Sequence, residues 1–189
     1  IQLNSPAGDM ECVKAAIYNG ADSIYLGSNF FNARRLAKNF SIDDIKEIIK
    51  MAHLHGIKIY LTMNTLVNNL ELKPWFKHLE QAYLAGIDAV ILQELSFIPL
   101  IKKYFPGLRI HASTQASLMN YRAINSFDID LVVLARELDI DEIAHIREHT
   151  KKELEVFVHG HLCISYSGQC IISSLIGKRS GNRGICASS

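Results

Sequence analysis

The chain has 189 residues, of which 49% are hydrophobic and 21% charged, and its formal net charge at pH 7 is +1. Its length and apolar content suffice for one globular domain with a sizeable core. The near-zero net charge excludes a global electrostatic footprint for nucleic acid, and no apolar run is long enough to cross a bilayer. Because the chain starts at Ile1 and shows no export signal, we expect a cytoplasmic protein, trimmed or a fragment of a longer one.

Short apolar runs alternate with amphipathic segments along the whole chain, which indicates alternating strands and helices. The predicted strands cover residues 1–3, 23–26, 58–62, 89–92, 109–111, 131–134 and 154–158. The predicted helices cover about residues 10–19, 42–54, 74–85, 99–104, 117–126 and 141–150.

A weak internal repeat supports this alternation. After Gly20, Gly86 and Phe127, an Asp follows a helix end and precedes a four-residue apolar strand. Continuous apolar strands are typical of a parallel sheet buried on both faces. About seven β/α steps therefore predict one α/β domain, a TIM-like (β/α) barrel that lacks its last unit. A doubly wound open sheet is the alternative, although no Gly-x-Gly-x-x-Gly follows the first strand.

In such a barrel the active site lies at the C-terminal ends of the strands. The polar residues that follow the predicted strands therefore form a candidate ring around a polar substrate. The ring consists of Asn4, Ser5, 27–29, Met63, Asn64, Gln93, Glu94, 113–115, Arg136, Glu137 and 159–163. Each member also has an ordinary interpretation as a loop cap or turn. The candidate catalytic residues are Glu94, Arg136, His159 and His161.

The segment 155–186 holds three of the four cysteines, Cys163, Cys170 and Cys186. A disulfide-stapled domain would be short and secreted, so we set disulfides aside. The gaps of six and fifteen residues fit a zinc finger poorly, since its ligands come in closely spaced pairs. Spacing alone leaves a metal or iron–sulfur site and small buried thiols as alternatives. Cys12, in the first predicted helix, is interpreted as a packing thiol.

Nine positions of this segment follow the pattern Glu-x-Phe-x-x-Gly-small-aliphatic-Cys-x4-Gly-x-Cys-x-aliphatic-Ser. They are Glu155, Phe157, Gly160, Leu162, Cys163, Gly168, Cys170, Ile172 and Ser173. This arrangement resembles the signature of the collagenase-like peptidases, peptidase family U32. His161 departs from it, since the family has Ser or Ala there. Residues 183–187, Arg-Gly-x-Cys-Ala, and the opening residues 4–9 are also similar to segments of that family.

The resemblance implies two classes of function. The family was named for collagen-degrading activity, and it also includes proteins of tRNA, rRNA and ubiquinone hydroxylation that carry a four-cysteine iron–sulfur cluster. Carried over residue by residue, three ligands of a 4Fe-4S cluster fall on Cys163, Cys170 and Cys186. The fourth would lie beyond Ser189, and Ser188 and Ser189 replace the family's Gln and Pro.

We therefore expect an RNA-modifying hydroxylation enzyme on a single barrel domain, residues 1–189, with the signature at 155–186. A peptidase that acts on denatured protein is the alternative. The implied partners are an RNA or protein substrate, a small-molecule hydroxyl donor and a second protein of the same family, with no membrane.

Three further motifs have competing interpretations. His145-x-x-Glu148-His149 matches an inverted zinc-peptidase motif, but the helix belongs to the predicted outer ring and no third ligand is evident, so a solvated helix face is favoured. His159 near Cys163 allows a thiol nucleophile with a base. The glycine-rich loop 177–184 carries three cations that suit phosphate, or it is simply solvated.

Overall fold

A computed structural model describes residues 1–33, 38–160, 163, 165–178 and 180–186. Strands and helices alternate along most of the chain. The strands are β1 Asn4–Ala7, β2 Ser23–Gly27, β3 Lys58–Met63, β4 Ala89–Leu92, β5 Arg109–Ala112, β6 Leu131–Val133 and β7 Glu153–Glu155. The helices are α1 Met10–Tyr18, α2 Ile42–Leu54, α3 Leu72–Ala85, α4 Ile98–Tyr104, α5 Tyr121–Asn125, α6 Ile140–His149 and α7 Ile172–Gly177.

The seven strands form one sheet in the order β1 to β7, and every neighbouring pair is parallel. A doubly wound sheet would reverse its strand order at a switch point, and this sheet does not. The side chains of the two outermost strands meet, because Asn4 Nδ2 on β1 donates to both carboxylate oxygens of Glu155 on β7 at 3.1 Å. The sheet therefore curls as a barrel does, and the predicted barrel of about seven units is confirmed.

The repeated Asp has a structural role at the N-terminal edge of the sheet. Asp22, Asp88 and Asp130 stand just before β2, β4 and β6. Their carboxylates accept backbone N–H bonds at the start of the preceding strand, at 2.6 Å from Leu3, the residue before β1, at 2.7 Å from Ile59 in β3 and at 2.8 Å from Ile110 in β5. The backbone N–H of each Asp also donates to the carbonyl of that same residue, at 2.8–2.9 Å. Each Asp thus joins two adjacent strands through both its side chain and its backbone, where their pairing begins.

Helix boundaries follow local signals. Ser41 caps α2 in a reciprocal arrangement with Asp44, whose side chain accepts from the Ser41 backbone N–H. Gly86 ends α3 with φ at 98°, a left-handed conformation that glycine adopts without a Cβ clash.

Alternate strand residues face two different hydrophobic cores. One set packs beneath the helices, with Ile24, Leu61 and Leu92 at or below 1% exposure. The opposite set lines the barrel interior, where Tyr60, Ala89 and Ile91 form a smaller cluster. Full burial of one large aliphatic side chain contributes about 1.5–3 kcal/mol, so the two cores together hold the strands in register.

The predictions for the first and last strands were wrong. The first strand is not residues 1–3, because the Leu3 N–H binds Asp22 and pairing with β2 begins at Asn4. Asn4 therefore lies at the start of β1 and not beyond its end. The last strand ends at Glu155, where its pairing with Val133 stops, and not at residue 158.

Cys12 is exposed and is not a packing thiol. The buried stripe of α1 consists of Val13, Ala16 and Ile17, and Cys12 lies just outside it. None of the helices in the described ranges combines the length and apolar character needed to cross a membrane.

Candidate functional site

The C-terminal end of the sheet opens into a cavity of about 850 Å³. Cys163, Cys170 and Cys186 all line this cavity, together with Arg136 and Glu155. The structure therefore brings the three signature cysteines to one space, at the end of the barrel where β/α enzymes carry their active sites. No disulfide joins any cysteines in the described part of the chain.

The segment between the first two cysteines is anchored at Ser167, which is 2% exposed. Its hydroxyl accepts from Arg136 Nε and Thr114 Oγ1, both at 3.1 Å. Its backbone N–H donates to Glu137 Oε1 at 2.5 Å, and its carbonyl accepts from Ser117 Oγ at 2.5 Å. These bonds tie the cysteine segment to the loops that follow β5 and β6.

Gly168 has a steric reason to be glycine. A Cβ at this position would lie 2.1 Å from the carbonyl oxygen of Gln115, and φ is 75°. The backbone of the segment between Cys163 and Cys170 therefore lies directly against the loop after β5, which no larger residue would allow.

A second anchor holds residues 180–186, the arm that carries Cys186. The guanidinium of Arg183 forms a two-bond ion pair with Glu71, one of them at 3.0 Å, and also donates to the Leu66 carbonyl at 3.4 Å. The hydrogen bonds from Arg183, followed by the Asn68 backbone N–H, lower the pKa of Glu71. Arg183 is therefore engaged within the protein, which leaves loop 177–184 with less free charge for phosphate than its sequence indicates.

The arm also packs against α7. Ser173, buried on this helix, places its hydroxyl 4.0 Å from Cys186 Sγ. The helix was not predicted, because its short apolar run lies within the signature and has no sequence periodicity of its own.

Glu155 contributes a carboxyl group to the cavity wall, and the sequence did not mark it as a site residue beyond its place in the signature. Burial raises its pKa, and the hydrogen bonds from Asn4 oppose that shift. Ser23 Oγ donates to Asn4 Oδ1 at 3.0 Å, which fixes the amide with its nitrogen towards Glu155. A carboxyl with a raised pKa can take up and release a proton closer to neutral pH.

The predicted catalytic residues have different locations. Arg136 lines the cavity. Glu94 accepts a hydrogen bond from Ser96 at 2.7 Å, and His159 is exposed; neither is among the described residues that line the cavity. His161 lies outside the described residues. Catalytic roles for all four stay predictions.

His111 lies within the barrel interior, with no exposed surface. Neither ring nitrogen has a hydrogen-bond partner among the residues described. The edge of the ring meets Tyr60, with centroids 4.6 Å apart. Burial, followed by the charge of Arg109, lowers the pKa of His111 to about 3, so the imidazole is neutral.

Comparison with known proteins identifies the family that shares this architecture and this signature. The solved structure of the U32 peptidase Mk0906 superposes with a TM-score of 0.68 at 15% identity, over 82% of this chain and 68% of that one, which shows a shared fold.

Three curated relatives match nearly the whole chain. The 23S rRNA 5-hydroxycytidine C2501 synthase of Escherichia coli is 39% identical over 99% of this chain and 28% of its own length. The tRNA hydroxylation protein P1 of Bacillus subtilis is 37% identical over 100% and 45%. The collagenase of Porphyromonas gingivalis is 33% identical over 98% and 48%. This chain therefore spans less than half the length of each of these relatives.

The family model for peptidase family U32 matches residues 8–189, which include the strands β2 to β7 and the three cysteines that line the cavity. With this match and the three relatives, the chain belongs to peptidase family U32.

Proposed function

We propose that this chain is the barrel portion of an iron–sulfur protein that takes part in RNA hydroxylation. The observation that carries the proposal is the convergence of Cys163, Cys170 and Cys186 on one cavity at the C-terminal end of the sheet. Relatives named for rRNA and tRNA hydroxylation support the RNA substrate class.

The donor set fits a cluster better than a single ion. Iron–sulfur clusters are held by cysteine thiolates, and three of the four that a 4Fe-4S cluster needs line this cavity. Among the described residues, the three sulfurs do not all lie within 4.8 Å of one another, as ligands of one ion would. A cluster takes each thiolate at a different iron, so its ligands are spaced more widely.

The surroundings of the sulfurs suit that cofactor as well. The Ser173 hydroxyl approaches Cys186 Sγ, and hydrogen bonds to ligand sulfurs tune the potential of a cluster. When bound, the cluster would supply redox chemistry to the cavity. Around it, Arg136 presents a positive charge, and Glu155 can hold or release a proton.

The size of the cavity limits how RNA can enter. About 850 Å³ lies within the range of small-ligand sites, roughly 300–1,000 Å³. A folded RNA helix is far larger, so the reacting nucleotide must leave its stack and enter alone. Within the cavity lining, Asn64 donates to Ser113 Oγ at 3.3 Å, and both residues present polar groups that can orient a base.

Nucleoside mass spectrometry tests the proposal. Cells that lack the protein would be complemented with the wild type, with Cys163→Ser, or with Cys12→Ser as the control on the exposed face of α1. We expect a nucleoside with one added oxygen atom, in tRNA or rRNA, for the wild type and the control only. Identical nucleoside profiles in all strains would contradict the proposal.

A peptidase is the second candidate, because one relative is named collagenase. Thiol proteolysis requires a base beside Cys163, and His159 is not among the described residues lining the cavity. If a thiol mechanism operates, Cys163→Ser abolishes cleavage of denatured collagen and preserves the far-UV circular dichroism spectrum. Undiminished cleavage by Cys163→Ser would eliminate that mechanism.

A further inference from the structure

The outer face of α6 carries a second group of potential metal ligands. His145, Glu148 and His149 are exposed, and each offers one ligand atom such that all three atoms lie within 4.8 Å of one another. Spacings of three and four residues place side chains on one helix face. The third ligand that the sequence did not reveal is therefore Glu148, within the motif itself.

The imidazoles are held in an orientation that suits coordination. His149 Nδ1 donates to the His145 carbonyl at 2.8 Å, so its Nε2 carries the lone pair that a metal requires. The His149 ring stacks on Tyr121, with centroids 4.6 Å apart and planes at 25°. The His145 ring lies 4.4 Å from the His149 ring and meets the edge of Tyr121.

The carboxylate is available as well. The neighbouring Arg147 donates to the backbone carbonyls of Thr150 and Lys152 instead of to Glu148. Across the described ranges, Glu148 takes part in none of the ion pairs. Its negative charge is therefore not neutralised by a partner.

We propose that His145, Glu148 and His149 bind one divalent transition-metal ion of the Zn²⁺ class, with water completing its coordination. Two imidazoles and a carboxylate are a recognised ligand set for zinc, and imidazole also suits Ni²⁺ and Cu²⁺. None of the three residues lines the cysteine cavity, so this site is separate from the one that carries the proposed function. Because Glu148 is itself a ligand, no carboxylate of these three residues remains to act as a catalytic base. The role of the bound ion is to stabilise the last turn of α6.

The test is a Zn²⁺ titration against a chromophoric chelator, on protein whose thiols are blocked with iodoacetamide. We expect one site in the wild type and a loss of affinity of at least about 10-fold in His145→Ala, His149→Ala and Glu148→Gln, since even outer-shell changes cost about 10–100-fold. These side chains are exposed, so the variants should fold, and circular dichroism verifies it.

His55 provides a matched control. Its Nδ1 also donates to the carbonyl four residues earlier, Met51, at 2.9 Å, and its ring also meets a tyrosine, Tyr18. Met51, four residues before His55, stands where a second imidazole would be needed to bind a metal ion. Zn²⁺ binding to the proposed site should raise Tm, and His55→Ala should leave both the Zn²⁺ affinity and this rise in Tm unchanged. Wild-type protein that binds no Zn²⁺, or triad variants that bind it as tightly as His55→Ala, would overturn the proposal.

Discussion

The barrel interior keeps one imidazole neutral, with a consequence for stability. The pKa of His111 falls from the ordinary 6.5 to about 3 on folding, through burial and then the charge of Arg109. Between these values the unfolded chain binds a proton that the folded chain does not. The contribution of His111 to the free energy of unfolding is therefore fully present above the pKa of the unfolded state. It falls as the pH drops below that value, by about 1.4 kcal/mol per pH unit at most.

Urea unfolding between pH 7 and pH 4 measures this effect. The wild type should lose stability more steeply with falling pH than His111→Leu, which carries no titrating group at this position. Some slope should remain in the variant, because burial also lowers the pKa of His78. Equal slopes in the two proteins would show that His111 titrates alike in the folded and unfolded states.

Single residues of the signature could be recognised from the sequence, but the physical reason for each residue became visible only from its contacts in the folded structure. Gly168 is required because its backbone lies against the Gln115 carbonyl, 53 positions earlier in the chain. Glu155 acquires its raised pKa from burial beside Asn4, on a strand at the other end of the chain. Contacts between such distant positions leave no local pattern in a single sequence.

Among the elements, the ion pair between Arg183 and Glu71 is one of the contacts that hold the arm bearing Cys186. Both side chains are partly exposed, at 39% and 25%, so the pair contributes only about 0.2–1 kcal/mol. Loss of the pair in Glu71→Gln should release the arm and accelerate alkylation of Cys186 by up to about 5-fold, the factor that corresponds to 1 kcal/mol.

Mass spectrometry of the alkylated peptides reports each cysteine separately. The rates at Cys163 and Cys12 should not change in Glu71→Gln, since neither residue lies on the arm. The exchanged pair, Glu71→Arg with Arg183→Glu, should restore the slow rate. Equal alkylation of Cys186 in wild type and Glu71→Gln would mean that the ion pair does not position the arm.

Elements with strong local signals were predicted well. The range of α2 matches the prediction because Ser41 and the apolar stripe define it. The predicted helix 117–126 shortens to α5, since Ser117 takes a left-handed conformation with φ at 56° and Asn120 supplies the cap. Both β1 and β7 differ from prediction because strand ends depend on where the neighbouring strand pairs, which the chain's own apolar pattern does not encode.

For the whole molecule, the barrel was predictable because most strands are short, largely apolar runs followed by a helix. The shared cavity was only partly predictable. Strand-end residues such as Arg136 were expected there, and Arg136 does line it. The folding of the 163–186 segment over the cavity depends instead on Ser167, Gly168 and Arg183, which bond to or pack against loops far away in the sequence.

Iron analysis of anaerobically purified protein tests the proposal that the three cysteines of the cavity hold one iron–sulfur cluster. The wild type and Cys12→Ser should contain iron and sulfide and show the broad visible absorption of a cluster. Cys163→Ser, Cys170→Ser and Cys186→Ser should each lose most of the iron and that absorption, because each removes a thiolate. Wild-type protein without iron after anaerobic reconstitution, or equal iron in all four variants, would show that these cysteines do not hold a cluster.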